Sequence, residues 1–276
     1  MSNTTGYDLD VQELRTLAHA VYNDYETKNG PFQEYDLPEY DVIYDIPDGR
    51  ERANFITLLV TINLNVETSG TDGLWQTALK AYESDRYSWI FDVDAVAERP
   101  QLDLYTEAFK PLGWKSNNAY VFWAKNATTI AEHYDGDIRN LFEHCSDDAV
   151  AIQTVTQTEN PTWFPSLKGK KVSALWLRLI DEEIRSLESI EKISIPADRN
   201  ILRVTDYLCT EDLEERTETN LKATRELWET VCDGTDLVPV YIDKPIWICG
   251  KQSIYPGLDF WNEWGREYLG EKAKHV

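Results

Sequence analysis

The stretch FPSLKGKKVSALWLRLI, residues 164–180, places three lysines within four positions, directly before an amphipathic pattern. Apolar side chains recur there every three or four residues, which is the spacing of one face of an α-helix. The residues of this face are Val172, Leu175, Trp176 and Leu179. The stretch therefore predicts a short turn that carries positive charge and continues into a partly buried helix.

The rest of the chain repeats this helical spacing, with short breaks at glycine, proline or aspartate. The clearest segments are 51–66, 102–112, 117–134, 199–208 and 213–232. Only EYDVIYDIP, residues 39–47, looks like a β-strand, and it is too short to found a sheet. We therefore expect an all-α protein of two helical lobes, one formed by residues 50–163 and the other by residues 1–49 together with residues 164–276.

The chain is strongly acidic, since 27 lysines and arginines stand against 49 aspartates and glutamates and give a net charge of -22. At low salt such a charge repels nucleic acid. At molar salt the Debye length is only about 3 Å, so surface acids then cost little stability. The acid excess therefore favours a protein from a high-salt, halophilic organism.

Other features of the composition indicate a soluble, cytoplasmic protein. No apolar run is long enough to span a bilayer, and residues 1–10 lack the charged and apolar parts of a signal peptide. The four cysteines are far apart and include no close pair of the kind that holds zinc or an iron–sulfur cluster. We expect buried thiols, no metal and no cofactor.

Two windows of this acidic chain contain no acid. Residues 108–131 hold none, although 49 acids in 276 residues would place about four in a window of that length. The lysines of this window are Lys110, Lys115 and Lys125. Residues 160–180 hold no acid either, and their basic residues are Lys168, Lys170, Lys171 and Arg178. Either both windows are interior segments whose lysines extend to the surface, or together they form a basic patch for an anion such as a phosphate backbone.

Lys171 lies at the edge of the apolar helix face, one turn before Leu175, whereas Lys170 lies on the side of Ala174 and Leu177. Partial burial next to a second cation favours the neutral, nucleophilic form of an amine. The alternative is that both lysines are solvated residues at the start of a helix.

Asp198 follows Pro196 and precedes the helical segment 199–208, so we expect its side chain to cap that helix. A carboxylate at a helix N-terminus stays ionised and points in a fixed direction. An ionised aspartate near an amine nucleophile suits cleavage of an N-glycosidic bond, because positive charge develops on the sugar during that reaction.

Three blocks, in this order, resemble the helix-hairpin-helix (HhH-GPD) DNA glycosylases, the superfamily that includes endonuclease III. They are FKPLGWKSNNAYVFWAKNATTIAEHYDGDI (residues 109–138), FPSLKGKKVSALWL (164–177) and IPADRNILRV (195–204). More loosely, FITLLVTINLNVETS (55–69) is similar to the helix that ends at the family's DNA wedge. The resemblance implies a two-lobed helical fold with the active-site cleft between the lobes.

The resemblance also implies a DNA base-excision N-glycosylase, with or without AP lyase activity, that cleaves the N-glycosidic bond of a flipped, damaged base. The hairpin lysine of the family is a Schiff-base nucleophile. Counted from Gly169 it is Lys171, the assignment we favour because glycine permits a close turn, and counted from Pro165 it is Lys170. Asp198 takes the position of the aspartate that promotes departure of the base.

Further residues follow from the same resemblance and from the basic windows. The expected nucleic-acid contacts are Lys115, Lys125, Lys168, Gly169 and Arg203. The candidates for the base pocket are Trp163, Trp176 and Trp247, each of which is also a common type of core residue. The partner would be DNA, with no role for a membrane.

Several residues depart from the family pattern. Ser166 and Lys168 stand in the hairpin where the family has a Gly-Val-Gly sequence, and Arg199 and Asn200 replace a common Thr-His pair. Glu67 lies near a position where the family often inserts an amide into the duplex, and an acid is poorly suited to contact phosphates.

Two alternatives therefore remain open. KKVSALW and IEKISIPADRN (190–200) also look like segments of the queuosine-salvage N-glycosidases, which act on small nucleotides and would need Asp198 without a Schiff-base lysine. The altered hairpin and Glu67 would also suit a catalytically inactive, nucleic-acid-binding derivative of the fold.

Overall fold

A computed structural model describes residues 7–33, 36–63, 71–114, 118–209, 213, 215–254 and 268 of the chain. Its α-helices are α1 (Val11–Glu26), α2 (Tyr40–Ile43), α3 (Arg50–Ile62), α4 (Thr71–Tyr82), α5 (Val93–Ala97), α6 (Gln101–Asp103), α7 (Ala119–His133), α8 (Arg139–His144), α9 (Ala149–Thr154), α10 (Lys170–Glu183), α11 (Arg199–Cys209), α12 (Glu218–Cys232) and α13 (Pro239–Ile254). Short 3₁₀ helices span Gly30–Gln33, Ser88–Phe91 and Ile190–Lys192, and π-helices span Leu104–Phe109 and Val155–Glu159.

The described part of the chain is helical and contains no β-strand, which confirms the prediction of an all-α protein. No helix in the described ranges is long and apolar enough to cross a membrane. The strand-like interpretation of residues 39–47 is wrong, because α2 lies there. Val42 and Ile43 are buried on one side of this turn, and the amide of Ile43 donates to the carbonyl of Glu39 over 3.0 Å.

The chain divides into two compact units. The central unit consists of residues 38–190, and the terminal unit combines residues 1–37 with residues 191–276. The sequence places the boundaries of the central lobe at residues 50 and 163, whereas the compact central unit begins at residue 38 and ends at residue 190. As a result the hairpin stretch 164–180 belongs to the central unit, whereas Asp198 belongs to the terminal unit. The division into two lobes around a cleft stays a prediction.

In the central unit, α3 packs against α7 and α10. Asn54 of α3 holds the acidic glycine turn that follows α7. Its Nδ2 donates to the carbonyl of Gly136 over 2.8 Å, and its Oδ1 accepts from the amide of Ile138 over 3.0 Å. Gly136 has a φ of +73°, and an added Cβ would lie 2.7 Å from the guanidinium of Arg50. The positive φ therefore favours glycine at this turn.

In the terminal unit, α13 packs against α1 and α11, and α1 packs against α12. Asp10 begins α1 with a capping box, in which its Oδ1 accepts from the amide of Glu13 and the Glu13 carboxylate accepts from the amide of Asp10. At the α11–α13 contact a Cβ added to Gly250 would lie 2.7 Å from the carbonyl oxygen of Asn200. The two helices can approach this closely because residue 250 has no side chain.

Candidate active site

Asp198 caps α11, as the sequence predicts. Its Oδ1 accepts hydrogen bonds from the backbone amides of Asn200, at 2.7 Å, and Ile201, at 3.1 Å. The residue is only 9% exposed. N–H donors on a buried carboxylate hold it in one orientation.

Trp247 contacts the same carboxylate from α13. Its indole Nε1 donates to Oδ2 of Asp198 over 3.2 Å, so the two oxygens of the aspartate receive donors from two different helices. The ammonium of Lys251 lies 5.1 Å from the centroid of the Trp247 ring. The sequence nominated Asp198 and Trp247 separately, and the structure brings them into direct contact within the terminal unit.

The hairpin lies directly before α10 in the central unit. Phe164 and Leu167 are completely buried, and the amide of Leu167 donates to the carbonyl of Phe164 over 3.0 Å. The amide of Gly169 then donates to the carbonyl of Ser166 over 3.2 Å, and α10 begins at Lys170. Two apolar anchors and two reverse-turn hydrogen bonds therefore hold the backbone from which the lysine cluster extends.

Gly169 does not require the conformational freedom of glycine. Its φ of -83° is open to any residue, and an added Cβ would lie 3.4 Å from the carbonyl oxygen of Ser166, which is close to ordinary contact. A need for glycine at residue 169 is therefore not a reason to prefer Lys171. Burial gives a separate reason, because Lys171 is half-buried whereas Lys168 and Lys170 are exposed.

Arg178 does not contribute to a basic surface, although it lies in the second acid-free window. It is 1% exposed and its Nη2 lies 2.6 Å from Oε1 of Glu39. The Glu182 carboxylate lies 3.8 Å from Nε of Arg178 and accepts a hydrogen bond from the Tyr40 hydroxyl. Burial raises the pKa of Glu39, although the charge of Arg178 opposes that shift. Arg178 is thus a core cation with carboxylate partners.

The two acid-free windows meet near Trp163. The Thr129 hydroxyl, in the first window, donates to the carbonyl of Trp163 over 2.9 Å. The ring of His133 stacks on the Trp163 ring with 4.0 Å between centroids and 7° between planes. Trp163 is half-buried, and a flat partner already covers one of its faces.

Trp176, by contrast, is a core residue. It is completely buried, its Nε1 donates to the hydroxyl of Thr57 over 2.9 Å, and its ring packs against Phe142. The sequence makes Trp176 a candidate for the base pocket, but the side chain lies in the core. Its burial agrees with its place on the predicted apolar face of α10.

The remaining candidates have varied surroundings. Arg203 is exposed on α11, and Lys125 is half-buried on α7. Lys115 and Glu67 lie outside the described residues. Within the described ranges, no group of three or more histidine, cysteine, aspartate or glutamate side chains is arranged to hold a metal ion.

No protein-family model matches the sequence, and no curated protein matches it either. Among solved structures, the fold is similar to that of Pa-AGOG, an 8-oxoguanine DNA glycosylase from Pyrobaculum aerophilum, in its complex with 8-oxoguanosine. The match has a TM-score of 0.51 and covers 95% of this chain and 94% of that chain, at 13% sequence identity. The all-α fold of this chain thus resembles that of Pa-AGOG over nearly the full length of both chains.

Proposed function

We propose that this protein is a DNA N-glycosylase that cleaves the N-glycosidic bond of a damaged base. The observation that carries the proposal is the carboxylate of Asp198, which is buried and held by N–H groups from α11 and α13. A fixed negative charge stabilises the positive charge that develops on the sugar as the base departs. The glycosylase-like fold supplies the context for that charge.

The second part of the proposal is an amine nucleophile, for which we favour Lys171. The amine would attack the sugar C1′ while the C1′–N bond breaks, and the base would leave with the bonding electrons and take up a proton. Loss of a proton from the attached nitrogen and opening of the sugar ring would give an imine, the intermediate of a lyase reaction. Partial burial of Lys171 supports this choice over the exposed Lys170.

For the substrate class, we propose an oxidised purine in DNA. The support is the similarity in fold to an enzyme that acts on 8-oxoguanine in DNA. The base would be flipped out of the duplex and stacked on an aromatic side chain. Trp247 is the candidate for that contact, since it is half-buried next to Asp198, and the Trp163 ring is already stacked on one face.

DNA contacts are proposed for Lys168, Gly169 and Arg203, with Lys115 and Lys125 of the first acid-free window. Lys168, Gly169 and Arg203 are exposed, so their surfaces are open to a phosphate. Because the chain has a net charge of -22, these local contacts would oppose a long-range repulsion between the protein and the DNA phosphates. We therefore expect DNA binding to increase between about 0.01 M and about 0.1 M salt, as the Debye length falls from about 30 Å to about 10 Å.

The test is release of the damaged base from a duplex that contains one 8-oxoguanine. We expect wild-type protein to release the base, and Asp198→Asn to do so at least about 100-fold more slowly. Asp92→Asn is the matched control, because Asp92 also caps a helix through Oδ1 but lies elsewhere, in the central unit. Equal rates for wild-type protein and Asp198→Asn would contradict the proposed role of the carboxylate.

The same assay separates the alternative functions. Release of a base from a free nucleoside monophosphate, without release from the duplex, would indicate a small-nucleotide N-glycosidase. Duplex binding without release from either substrate would indicate a binding derivative of the fold.

A further inference from the structure

We infer that Trp247 is a positioning residue for Asp198, in addition to any contact it makes with a base. The inference rests on the proposed function for its catalytic consequence, and on the structure of the terminal unit for the contact itself. The Trp247 indole donates to Oδ2 of the carboxylate over 3.2 Å, whereas the amides of α11 donate to Oδ1.

The two oxygens of Asp198 have different tasks in this arrangement. Oδ1 accepts hydrogen bonds from two backbone amides of α11, as in an ordinary N-cap, and these bonds restrain the carboxylate through that oxygen. The indole N–H adds a restraint on Oδ2 and so narrows the rotation of the carboxylate about its Cβ–Cγ bond. A displacement of about 1 Å at a reacting group can cost about 100-fold in rate, so the direction of the carboxylate plane matters for catalysis.

The indole is itself held in place by its neighbours on α13. Gly250 lies three residues after Trp247, and its Cα faces the backbone of Asn200, two residues after Asp198. This contact between backbones sets the distance between α11 and α13 next to the hydrogen bond. The Lys251 ammonium lies over the Trp247 ring, at 5.1 Å from its centroid, in a cation–π contact.

Comparison with Asp10 shows why a cap alone does not need such a partner. Asp10 also accepts two backbone amides on Oδ1, at 2.9 Å each, and it does so at an exposed position. Asp198 makes the same cap while buried, and adds a donor from a helix that is remote in sequence. The added indole is therefore more than capping requires. It supplies the donor that a buried Oδ2 needs, and it orients the carboxylate at the same time.

The test compares two Trp→Phe variants in the same unit. Trp247→Phe keeps an aromatic ring and removes the N–H. Trp228→Phe is the control, because it also removes one indole hydrogen bond, from Nε1 to the Thr205 hydroxyl at 2.9 Å, without touching Asp198. We expect Trp247→Phe to lower the single-turnover rate of base release about tenfold or more, with duplex affinity within about twofold of wild type. Trp228→Phe should lower the unfolding temperature and leave that rate unchanged.

A second measurement does not depend on activity. The urea midpoints of Asp198→Ala, Trp247→Phe and the double variant form a double-mutant cycle. We expect the two decreases in unfolding free energy to be non-additive, because each substitution removes the same hydrogen bond. The pair Asp198→Ala and Trp228→Phe should be closer to additive.

The outcomes distinguish failure of the inference from failure of the proposed function. If wild-type protein releases no base but the cycle is non-additive, the proposed function falls and the positioning contact stands. If wild-type protein is active and Trp247→Phe is as fast as Trp228→Phe, the positioning role is wrong and the proposed function stands. Additive shifts in the Asp198–Trp247 cycle overturn the inference in either case.

Discussion

Arg178 and Glu39 form an ion pair inside the central unit, with 2.6 Å between Nη2 of the arginine and Oε1 of the glutamate. Their side chains are 1% and 7% exposed. Because α10 carries Arg178 and also begins with Lys170 and Lys171, the pair attaches the helix of the candidate nucleophile to the segment before α2. The pair is thus a structural support for the hairpin region.

We expect Arg178→Met to destabilise the protein by about 3–5 kcal/mol, because it leaves the Glu39 carboxylate buried without its cation. Lys222→Met is the control. The Lys222–Glu226 pair has side chains that are 64% and 60% exposed, so its loss should cost less than about 1 kcal/mol. Urea unfolding of both variants measures the difference, and similar losses would show that the buried pair has no special weight.

Asn54→Ala should also destabilise the central unit. The substitution removes the partners of the Gly136 carbonyl and the Ile138 amide, and each orphaned buried group costs about 1–3 kcal/mol. Asn140→Ala is a matched variant, since it removes the side-chain hydrogen bond from Asn140 to the Tyr134 carbonyl at a half-buried position. The unfolding temperature should fall clearly more in Asn54→Ala than in Asn140→Ala. A larger fall in Asn140→Ala would refute this account of the turn.

Gly250→Ala should weaken the α11–α13 contact, because the new Cβ would lie 2.7 Å from the carbonyl oxygen of Asn200. Overpacking of this kind costs about 1–3 kcal/mol. Gly169→Ala should change the unfolding free energy by less, since its Cβ would approach no atom closer than 3.4 Å at a φ of -83°. Unfolding in urea tests both, and a tolerant Gly250 would mean that the helices separate easily at this point.

The thiol of Cys145 should make stability fall at alkaline pH. Burial, with help from the Glu159 and Asp148 carboxylates, raises its pKa to about 11. A thiol whose pKa is higher in the folded state contributes stability that is complete below its unfolded pKa, near 9, and that is lost as the pH rises through about 11. Cys145→Ala should therefore lose less unfolding free energy than wild type between pH values of about 9 and about 11. Parallel losses in the two proteins would contradict this assignment.

Local patterns allowed much of the fold to be predicted from the sequence. The apolar spacing correctly predicted that Val172, Trp176 and Leu179 are buried in α10, but Leu175 is only half-buried and Ala174 and Leu177 are buried outside the predicted face. The order Pro196, Asp198 and a helical segment predicted the cap of α11. These features depend on neighbours within a few residues, so periodicity and capping preferences are sufficient to identify them.

Contacts between distant residues could not be predicted in this way. Trp247 is 49 positions from Asp198, and Arg178 is 139 positions from Glu39. No local pattern links either pair. Arg178 lies near the end of an acid-free window and therefore counts among the basic residues of a predicted surface, although the Glu39 carboxylate that pairs with it comes from before α2 and Glu182 follows it at i+4. Residues 39–47 have a strand-like composition, but they form the short helix α2, in which Val42 and Ile43 are buried.

The central claim is that Lys171 supplies the amine that attacks the sugar, and borohydride trapping on a duplex with one 8-oxoguanine tests it most directly. Reduction of the imine would leave the enzyme covalently attached to DNA, and peptide mapping would locate the attachment. We predict an adduct at Lys171 in wild-type protein, loss of the adduct in Lys171→Ala, and its retention in Lys168→Ala and Lys170→Ala. A wild-type protein that releases the base without forming an adduct, or a Lys171→Ala variant that is trapped as efficiently as wild type, would contradict the claim.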